Sequence, residues 1–333
     1  MKVSVVILNW NGCDMLRTFL PSVVRYSEGE GVEVCVADNG STDTSVSLLQ
    51  QEFPSVRTIV LDQNYGFADG YNWALQQVDA EYVVLLNSDV EVTEHWLEPM
   101  IAYLDAHPEV AACQPKIRSQ RQKEYFEYAG AAGGFIDKYG YPFCRGRIMG
   151  VVEKDEGQYD TVIPVFWATG ASLCIRRDVY RAAGGLDEAF FAHMEEIDLC
   201  WRLKNGGYTL KVVPSSVVYH LGGGSLPMNH PRKLFLNYRN NLLMLHKNLC
   251  AKQRKKIFFA RVLLDTMAGG LFLLKGQWSN TRSVIRAYKA FREMRKAYPV
   301  PESSISLSGI YPRSIVLEYF LRGKKKFSDL NFK

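Results

Sequence analysis

Several polar residues in this sequence follow an apolar run at the point where a strand is predicted to end. The run at 83–86 is followed by Asn87, Ser88 and Asp89. An unbroken apolar run is typical of a strand buried on both faces, and ligands of parallel sheets bind beyond the carboxyl ends of such strands. Asp89 is therefore predicted to lie where a hard cation and its phosphates would bind. The alternative is a polar turn that only caps the next helix.

Two further groups could act on a ligand at the same edge. Glu195, Glu196 and Asp198 place three carboxylates within four residues at the start of a predicted helix. Such carboxylates raise one another's pKa unless a cation or a helix N-terminus offsets them. A solvated acidic face is the alternative, but the preceding stretch 190–194 is too apolar for an exposed loop. His220 follows another apolar run, so its imidazole could emerge at a strand end, although a lone histidine is more often structural.

Alternating strands and helices must position these residues. The apolar and β-branched runs predict strands at 3–8, 32–37 and 56–61, and helices at 14–25, 41–51, 68–77 and 94–106, with Ser41 as an N-cap. Repeated units of this length predict an α/β fold, a doubly wound, mostly parallel sheet of Rossmann-like type.

The segment from 117 to 160 lacks clear periodicity. It is rich in Gly, Tyr and Arg, and we expect an inserted, partly mobile loop that covers a site. Regular patterns return as strands at 162–165, 171–176 and 209–213 and a helix at 177–183.

Composition describes an ordinary folded chain. Of the 333 residues, 47% are hydrophobic and 23% are charged, which excludes a disordered protein. The seven cysteines form no CxxC pair and are odd in number, so they are interpreted as thiols in a reducing compartment. The first eight residues run directly into a strand and do not resemble a signal peptide. We expect the cytoplasm.

The basic residues are concentrated in the last third of the chain. Residues 232–333 contain 22 Lys and Arg against 5 Asp and Glu, a balance of +17, whereas residues 1–231 have a balance of −12. Helices are predicted at 234–247, 251–274 and 281–297. Basic and apolar residues together favour the surface of an anionic membrane over a nucleic acid. Arg261 and Asp265 argue against a spanning helix and favour an interfacial hairpin, with a helical cap packed on the sheet as the alternative.

Five ordered motifs resemble the family 2 glycosyltransferases, and among them the bacterial rhamnosyltransferase-type enzymes of surface polysaccharide synthesis. They are residues 5–12, 36–43, 64–72, 85–89 and 195–202. The resemblance covers about residues 1–245. It implies a GT-A fold, a UDP- or dTDP-linked sugar donor, Mg²⁺ or Mn²⁺, and inversion at the anomeric carbon during transfer to a saccharide or polyprenyl-linked acceptor.

The resemblance also implies a donor side of the site. Asp38 matches the position that accepts the ring N3–H of uracil or thymine, and Asp89 matches the last acidic residue of the metal-binding motif. Asn87 replaces the first acidic residue of that motif, which leaves one carboxylate fewer for the ion. His220 falls where some relatives have a metal-binding histidine. The remaining donor residues implied are Asn9, Asn11, Asn64, Gly66, Gly70, Asn72, Asn87 and Ser88.

On the acceptor side, Glu196 matches the family's general base, which takes the proton of the attacking hydroxyl. Glu195 would position the acceptor, while Asp198 and Arg202 would hold the local structure. The segment around Trp167 and Gly170 resembles the element beneath the sugar and acceptor, although an apolar-flanked Trp is as often core. A further hypothesis brings Arg232, Tyr238 and Arg239 over the diphosphate.

These interpretations together predict an enzyme of two parts. Residues 1–231 would form the catalytic domain, with a nucleotide-binding half at about 1–116 and an acceptor half at about 117–231, and residues 232–333 would form a basic amphipathic helical region. The enzyme would be peripheral on the inner face of the cell membrane, with no nucleic-acid partner; a homo-oligomer stays open. The alternatives are a sugar-phosphate nucleotidyltransferase, which lacks its usual basic loop here, and a non-catalytic nucleotide-sugar-binding subunit.

Overall fold

Strands and helices alternate through the first 106 residues of the computed structural model, which describes residues 1–222, 230–302 and 308–332. The elements are β1 (Val3–Asn9), α1 (Cys13–Tyr26), β2 (Val32–Asp38), α2 (Ser45–Glu52), β3 (Arg57–Val60), α3 (Gly66–Gln76), β4 (Tyr82–Asn87), β5 (Val90–Val92) and α4 (Glu98–Ala106). Strands β1 and β4 are almost wholly buried, as their apolar runs predict. The predicted N-cap is wrong: Thr44 precedes α2, and the Ser41 hydroxyl instead accepts from the Asn11 N–H at 2.8 Å.

The second part of the chain completes the main sheet and adds a small one. It contains β6 (Val110–Ser119), β7 (Gly134–Asp137), β8 (Pro142–Cys144), β9 (Arg147–Ile148), β10 (Val151–Val152), β11 (Ile163–Pro164), β12 (Ser172–Arg176), α5 (Arg177–Ala182), α6 (Glu195–Asn205) and β13 (Thr209–His220). A 3₁₀ turn, Glu188–Phe190, lies between α5 and α6.

The main sheet has the strand order β11-β13-β6-β12-β4-β1-β2-β3, with β5 paired to β13. Strands β3, β2, β1 and β4 are parallel, and β12 is antiparallel to both of its neighbours. In this register Leu8 pairs with Asn87 and Asn9 pairs with Asp38, so the polar ends of three strands meet at one edge. The predicted α/β class with a mostly parallel sheet is confirmed, and the site lies where that class places ligands.

The segment 117–160 is not the irregular loop that its composition predicts. Strands β7 to β10 lie within it and form the five-stranded sheet β10-β9-β8-β7-β14. These strands have two to four residues and reverse at Gly140 and Gly146, where φ is +79° and +105°. Strands this short produce no periodicity that a sequence pattern can detect, and glycine is the residue that adopts such φ values freely.

The C-terminal part is helical and joins the small sheet. It contains α7 (Pro231–Asn248), α8 (Ala251–Leu274), α9 (Trp278–Met294), β14 (Ile310–Tyr311) and α10 (Ile315–Phe320). Strand β14 pairs in parallel with β7. The predicted division of the chain at 231 therefore crosses a shared sheet, and the division itself stays a prediction.

Helix α8 combines an apolar sequence with two buried charges. By length and composition it could cross a membrane, since an 18-residue window has a mean hydropathy of 1.8. Of that window, 17% is buried inside the protein. Arg261 and Asp265 lie on its packed face and form an ion pair at 3.2 Å. Asp265 also accepts hydrogen bonds from the hydroxyls of Tyr141 (2.5 Å) and Tyr288 (2.7 Å). These two charges therefore bind α8 to the rest of the protein.

Candidate active site

A cavity of about 1810 Å³ lies beyond the carboxyl ends of β1 and β4 and extends between α6, α7, α8 and α10. Most of the residues predicted for the site line this cavity. They are Asn11, Asn64, Gly66, Asn87, Ser88, Asp89, Trp167, Gly170, Glu195, Glu196 and His220, with Arg232 and Tyr238. The fold thus brings together residues from seven separate segments of the chain.

Asp89 and His220 meet although 131 positions separate them. Asp89 lies in the turn between β4 and β5, and His220 is the last residue of β13, paired with Val90. The His220 Nε2 atom lies 3.1 Å from the Asp89 carboxylate, and its Nδ1 atom lies 3.4 Å from the carboxylate of Glu127. All three side chains are buried. Glu127 was not predicted, because it follows a stretch without periodicity, and its own sequence carries no motif that would reveal it.

The charges of this cluster depend on each other. Burial alone would lower the pKa of His220, but the carboxylates of Glu127 and Asp89 outweigh that effect and raise it to about 10. Burial would raise the pKa of Asp89, but the hydrogen bond and positive charge of His220 keep it below its usual value. In the protein without bound ligands, His220 is therefore a cation held between two carboxylates.

The donor atoms of this cluster suit a divalent cation only in part. The described ranges contain no group of three or more His, Cys, Asp or Glu side chains arranged to hold a metal ion. Asp89 and the Nε2 atom of His220 nevertheless lie side by side, so they would offer a carboxylate oxygen and an imidazole nitrogen to a cation that displaces the Nε2 proton. Two such donors fit a cation whose remaining ligands come from substrate phosphates.

Glu195 and Glu196 open α6 at the wall of the cavity. One carboxylate oxygen of each side chain is buried and without a hydrogen-bond partner. Burial raises the pKa of Glu195 well above its usual value, and the neighbouring charge of Glu196 adds to the effect. Burial likewise raises the pKa of Glu196 to about 7, although backbone N–H groups at the helix start oppose it. A carboxyl group that ionises near neutral pH is suited to accept a proton.

The loop before α6 holds three residues in the left-handed region. The φ values of Phe191, His193 and Met194 are +63°, +71° and +73°. Such values are costly for residues other than glycine and persist where surrounding contacts enforce them. The Asn240 amide of α7 supplies these contacts, since it donates to the carbonyls of Phe190, Ala192 and His193 at 2.9, 2.9 and 2.7 Å.

Arg239 does not lie over the cavity as the sequence interpretation proposed. Its guanidinium donates to the carbonyls of Ala189 (3.3 Å) and Phe190 (3.0 Å) and to the Asn240 side chain (2.8 Å). Arg239 and Asn240 of α7 therefore hold the loop before α6, which Glu195 and Glu196 follow directly. The sequence predicted neither contact, because both arise from helix packing.

The two loops that were predicted to bind the donor line the cavity. The Asn11 side chain accepts from the Thr42 N–H at 2.7 Å, and the Asn64 side chain accepts from the Gly66 N–H at 2.8 Å. Gly66 has φ +77°, and a Cβ atom there would lie 2.6 Å from the Phe191 ring. The Phe67 N–H also donates to the Phe191 carbonyl at 2.8 Å, which joins this loop to the one before α6.

Asp38 does not line the cavity, in contrast to the prediction. It is fully buried, and its two oxygens accept from Asn9 Nδ2 and from the Ser41 N–H, both at 2.9 Å. Its neighbour Asn39 lines the cavity instead and bonds Asn64, Tyr65 and the Gly66 carbonyl. Asn39 belongs to the same sequence motif, and the nucleotide-binding role of Asp38 stays a prediction. Asn9 is correspondingly a buried support for Asp38.

Three other predicted ligand residues have structural roles. Gly70 allows close packing, since a Cβ atom there would lie 2.9 Å from Asn39. Asn72 bonds the backbone of Leu186 and the Tyr180 hydroxyl, away from the donor loops. Trp167 is only 3% exposed, and its indole N–H donates to the Phe135 carbonyl at 2.9 Å. The ring thus belongs to the core, which was the stated alternative.

Two basic residues of α7 face the acidic cluster. Arg232 lies over the Phe191 ring, and Lys233, which was not predicted, lines the cavity beside it. Burial lowers the pKa of Lys233 despite the nearby charges of Glu127 and Asp89. Together they place positive charge in the cavity that contains Asp89, which suits a phosphorylated ligand.

Comparisons with known proteins find a family match and several relatives. Residues 4–156 match the family described as glycosyl transferase family 2. The chain is 28% identical over 230 residues to an N-acetylglucosaminyl-diphospho-decaprenol L-rhamnosyltransferase of Mycobacterium tuberculosis, a match that covers 65% of this chain and 75% of the relative. It is 23% identical to the dTDP-rhamnosyl transferase RfbF of Shigella flexneri, over 69% of this chain and 76% of the relative.

Solved structures share the fold at lower identity. The structure of GalNAc-T7 with UDP, GalNAc and Mn²⁺ has a TM-score of 0.61 and 16% identity, covering 92% of this chain and 59% of that protein. The structure of TarS 1-349 from S. aureus has a TM-score of 0.55 and 17% identity, covering 87% of this chain and 80% of that one. Both matches extend past residue 231 into the helical part, so the shared architecture is not confined to the region matched by the family.

Proposed function

We propose that this chain, whose residues 4–156 match glycosyl transferase family 2, transfers a sugar from a nucleotide diphosphate to a hydroxyl of a lipid-linked saccharide. The transfer would take place during cell-surface polysaccharide synthesis. The observation that carries this proposal is the cavity in which Glu196 and the Asp89–His220 pair face a common space. Proton acceptor and phosphate site are the two parts that such a reaction needs.

Glu196 acts as the general base of the reaction. Its ionised carboxylate takes the proton of the acceptor hydroxyl, and that oxygen forms a bond to the anomeric carbon while the bond to the diphosphate breaks. The single displacement inverts the configuration and requires no covalent enzyme intermediate. Glu195, buried beside Glu196, orients the acceptor, and the Arg239–Asn240 contacts keep both carboxylates in place.

Asp89 and His220 hold a divalent cation in this proposal. Structural neighbours with the same fold contain Mn²⁺ together with UDP or GDP-mannose, which supports a divalent metal here. When bound, the cation supplies Lewis-acid stabilisation of the diphosphate leaving group. Arg232 and Lys233 add positive charge on the opposite side, and Asn11, Asn39 and Asn64 offer uncharged hydrogen bonds to the nucleotide.

The names of two relatives support a finer proposal for the substrates. Two of them are named for rhamnose transfer, one from a dTDP donor and one to a diphospho-decaprenol acceptor. We therefore propose dTDP-rhamnose as donor and a polyprenyl diphosphate-linked saccharide as acceptor. Such an acceptor places the enzyme at the inner face of the cell membrane, with the basic helical region toward the lipid.

Replacement of Glu196 by Gln tests the base role. The variant keeps the shape of the side chain, so it should bind nucleoside diphosphate with Mn²⁺ as the wild type does and lose about 100-fold or more in transfer rate. Glu30→Gln, at an exposed carboxylate just before β2 that does not line the cavity, is the matched control. Near-normal turnover by Glu196→Gln would remove Glu196 from the role of base. The non-catalytic alternative predicts instead that the wild type never hydrolyses or transfers sugar from any nucleotide-sugar in the presence of the metal.

A further inference from the structure

Helix α8 presents three faces with different surroundings. The packed face contains the buried residues Arg261, Asp265 and Gly269. A second face lines the same cavity as Glu196 with Leu264, Met267, Ala268, Leu271, Phe272 and Lys275. A third face does not line the cavity and consists largely of exposed apolar residues, Phe259, Val262, Leu263, Leu273 and Leu274. The spacing of three and four residues within the second set makes it one continuous stripe along the helix.

The cavity that this stripe lines is also lined by apolar residues of α10 and of the residue after it, namely Val316, Leu317, Phe320 and Leu321. Leu271 is 54% exposed, Phe320 63% and Leu321 77%, so no other described part of the chain covers these side chains. We call the part of the cavity that the two sets of residues line the groove. Large apolar side chains left exposed along both walls of a groove mark a binding site for an apolar ligand.

We propose that this groove holds the aliphatic chain of the lipid-linked acceptor. The inference rests on the proposed function, because it assigns a place to one part of that acceptor. The groove belongs to the same cavity as Glu195 and Glu196, so a chain lying in it would lead its saccharide toward the carboxylates. Lys275, Arg232 and Lys233 line this cavity as well, and their charge suits the diphosphate that joins lipid to saccharide.

Charge argues for a lipid and against a second copy of the chain as occupant. Residues 232–333 carry a balance of +17, so two copies facing each other through this region would repel. An anionic lipid with an apolar chain complements both the basic residues and the groove. The third face of α8, which does not line the cavity, would contact the surface of the bilayer.

Two variants on the same helix separate the groove from the bilayer-facing side. Leu271→Glu places a carboxylate in the groove, and Leu263→Glu, at 58% exposure, places one on the third face. The probe is farnesyl diphosphate, used below its micelle concentration with no vesicles present, and inorganic diphosphate serves as the probe without a chain. Binding is measured by calorimetry on the full chain.

The wild type should bind farnesyl diphosphate at least about tenfold more tightly than inorganic diphosphate, since burial of a short apolar chain contributes several methylene groups. Leu271→Glu should abolish that difference, and Leu263→Glu should preserve it while weakening binding to vesicles of phosphatidylglycerol. Equal affinity of the wild type for both probes, or an equal loss in both variants, would overturn the proposal and leave bilayer docking alone. A concentration-dependent dimer that disappears in Leu271→Glu would also overturn it, in favour of a second copy.

The proposed function is tested separately by nucleoside diphosphate binding with Mn²⁺ and by the Glu196→Gln variant. A wild type that binds nucleotide and transfers sugar but shows no preference for the farnesyl chain would refute the groove only. Both substitutions lie at exposed positions, and an unchanged circular dichroism spectrum would establish that each variant folds.

Discussion

The raised pKa of Glu196 gives a stability prediction that is independent of catalysis. Burial raises that pKa from 4.5 to about 7, so folding favours the protonated carboxyl. Stability from this group is fully present below pH 4.5 and is lost as the pH rises through about 7. The residue best suited to accept a proton therefore destabilises the fold at the pH where it is ionised.

The magnitude follows from the two pKa values. A pKa difference of one unit corresponds to about 1.4 kcal/mol. Ionisation of Glu196 therefore lowers the unfolding free energy by at most about 3 kcal/mol at pH 8. The side chain is only partly buried by surface area, which reduces the figure, and about 1–3 kcal/mol is the expected range. Glu196→Gln should therefore be more stable than the wild type by that amount at pH 8 and nearly equal to it at pH 4.

Urea unfolding at the two pH values measures this difference, with Glu30→Gln as the control for a general charge effect. The same pKa predicts that the transfer rate rises about tenfold between pH 6 and pH 8, as the ionised fraction grows from about one tenth to about nine tenths. A Glu196→Gln variant that is less stable at pH 8, or a stability gain of the same size at both pH values, would refute the reasoning.

Three further substitutions test the supports of the site. Asn240→Ala removes three hydrogen bonds to the loop before α6, so we expect a lower kcat with little change in nucleotide affinity and a loss of about 2 kcal/mol in unfolding free energy. Gly66→Ala introduces a Cβ atom 2.6 Å from the Phe191 ring at φ +77°, which should cost about 1–3 kcal/mol and weaken nucleotide binding. Asp265→Ala leaves the Arg261 charge buried without its partner and should lower the unfolding free energy by about 3–5 kcal/mol.

Each of these predictions has an outcome that contradicts it. Asn240→Ala with unchanged kcat would mean that the loop keeps its conformation without the clamp, and Asn248→Ala, on the same helix but bonded to Asp198, is a comparison for simple loss of packing. Gly66→Ala with wild-type stability in urea would mean that the two loops separate at no cost. Asp265→Ala without loss of stability would place Arg261 in water.

The sequence predicted that Asp89 and His220 lie at strand ends, and the structure brings them together although 131 positions separate them. Their shared metal site was implied by the resemblance, which places a histidine after the acidic motif. The sequence does not determine the direction of a side chain at a strand end. Asp38 and Asn39 are adjacent, but of the two Asn39 lines the cavity, and a motif match could not decide which of them does so.

The sequence did not predict contacts that arise from the packing of distant segments. Glu127 lies in a stretch whose short strands have no period, and only the fold brings it beside His220. Asn240 reads as one polar residue among many on a helix, and its three carbonyl partners lie 47 to 50 positions earlier in the chain. The Arg261–Asp265 pair was interpreted as a barrier to membrane insertion, whereas its physical role is to bond α8 to Tyr141 and Tyr288.

The pairing of β14 with β7 has a consequence for biosynthesis. Residues 310–311 supply the last strand of a sheet whose other four strands lie between residues 134 and 152. A ribosome must therefore release residues 310–311 before this sheet can close, so the strands between 134 and 152 wait for a partner that is made more than 150 residues later. A stop codon just before residue 310 would leave β7 with an open edge, and such edges are sites at which nascent chains associate with one another.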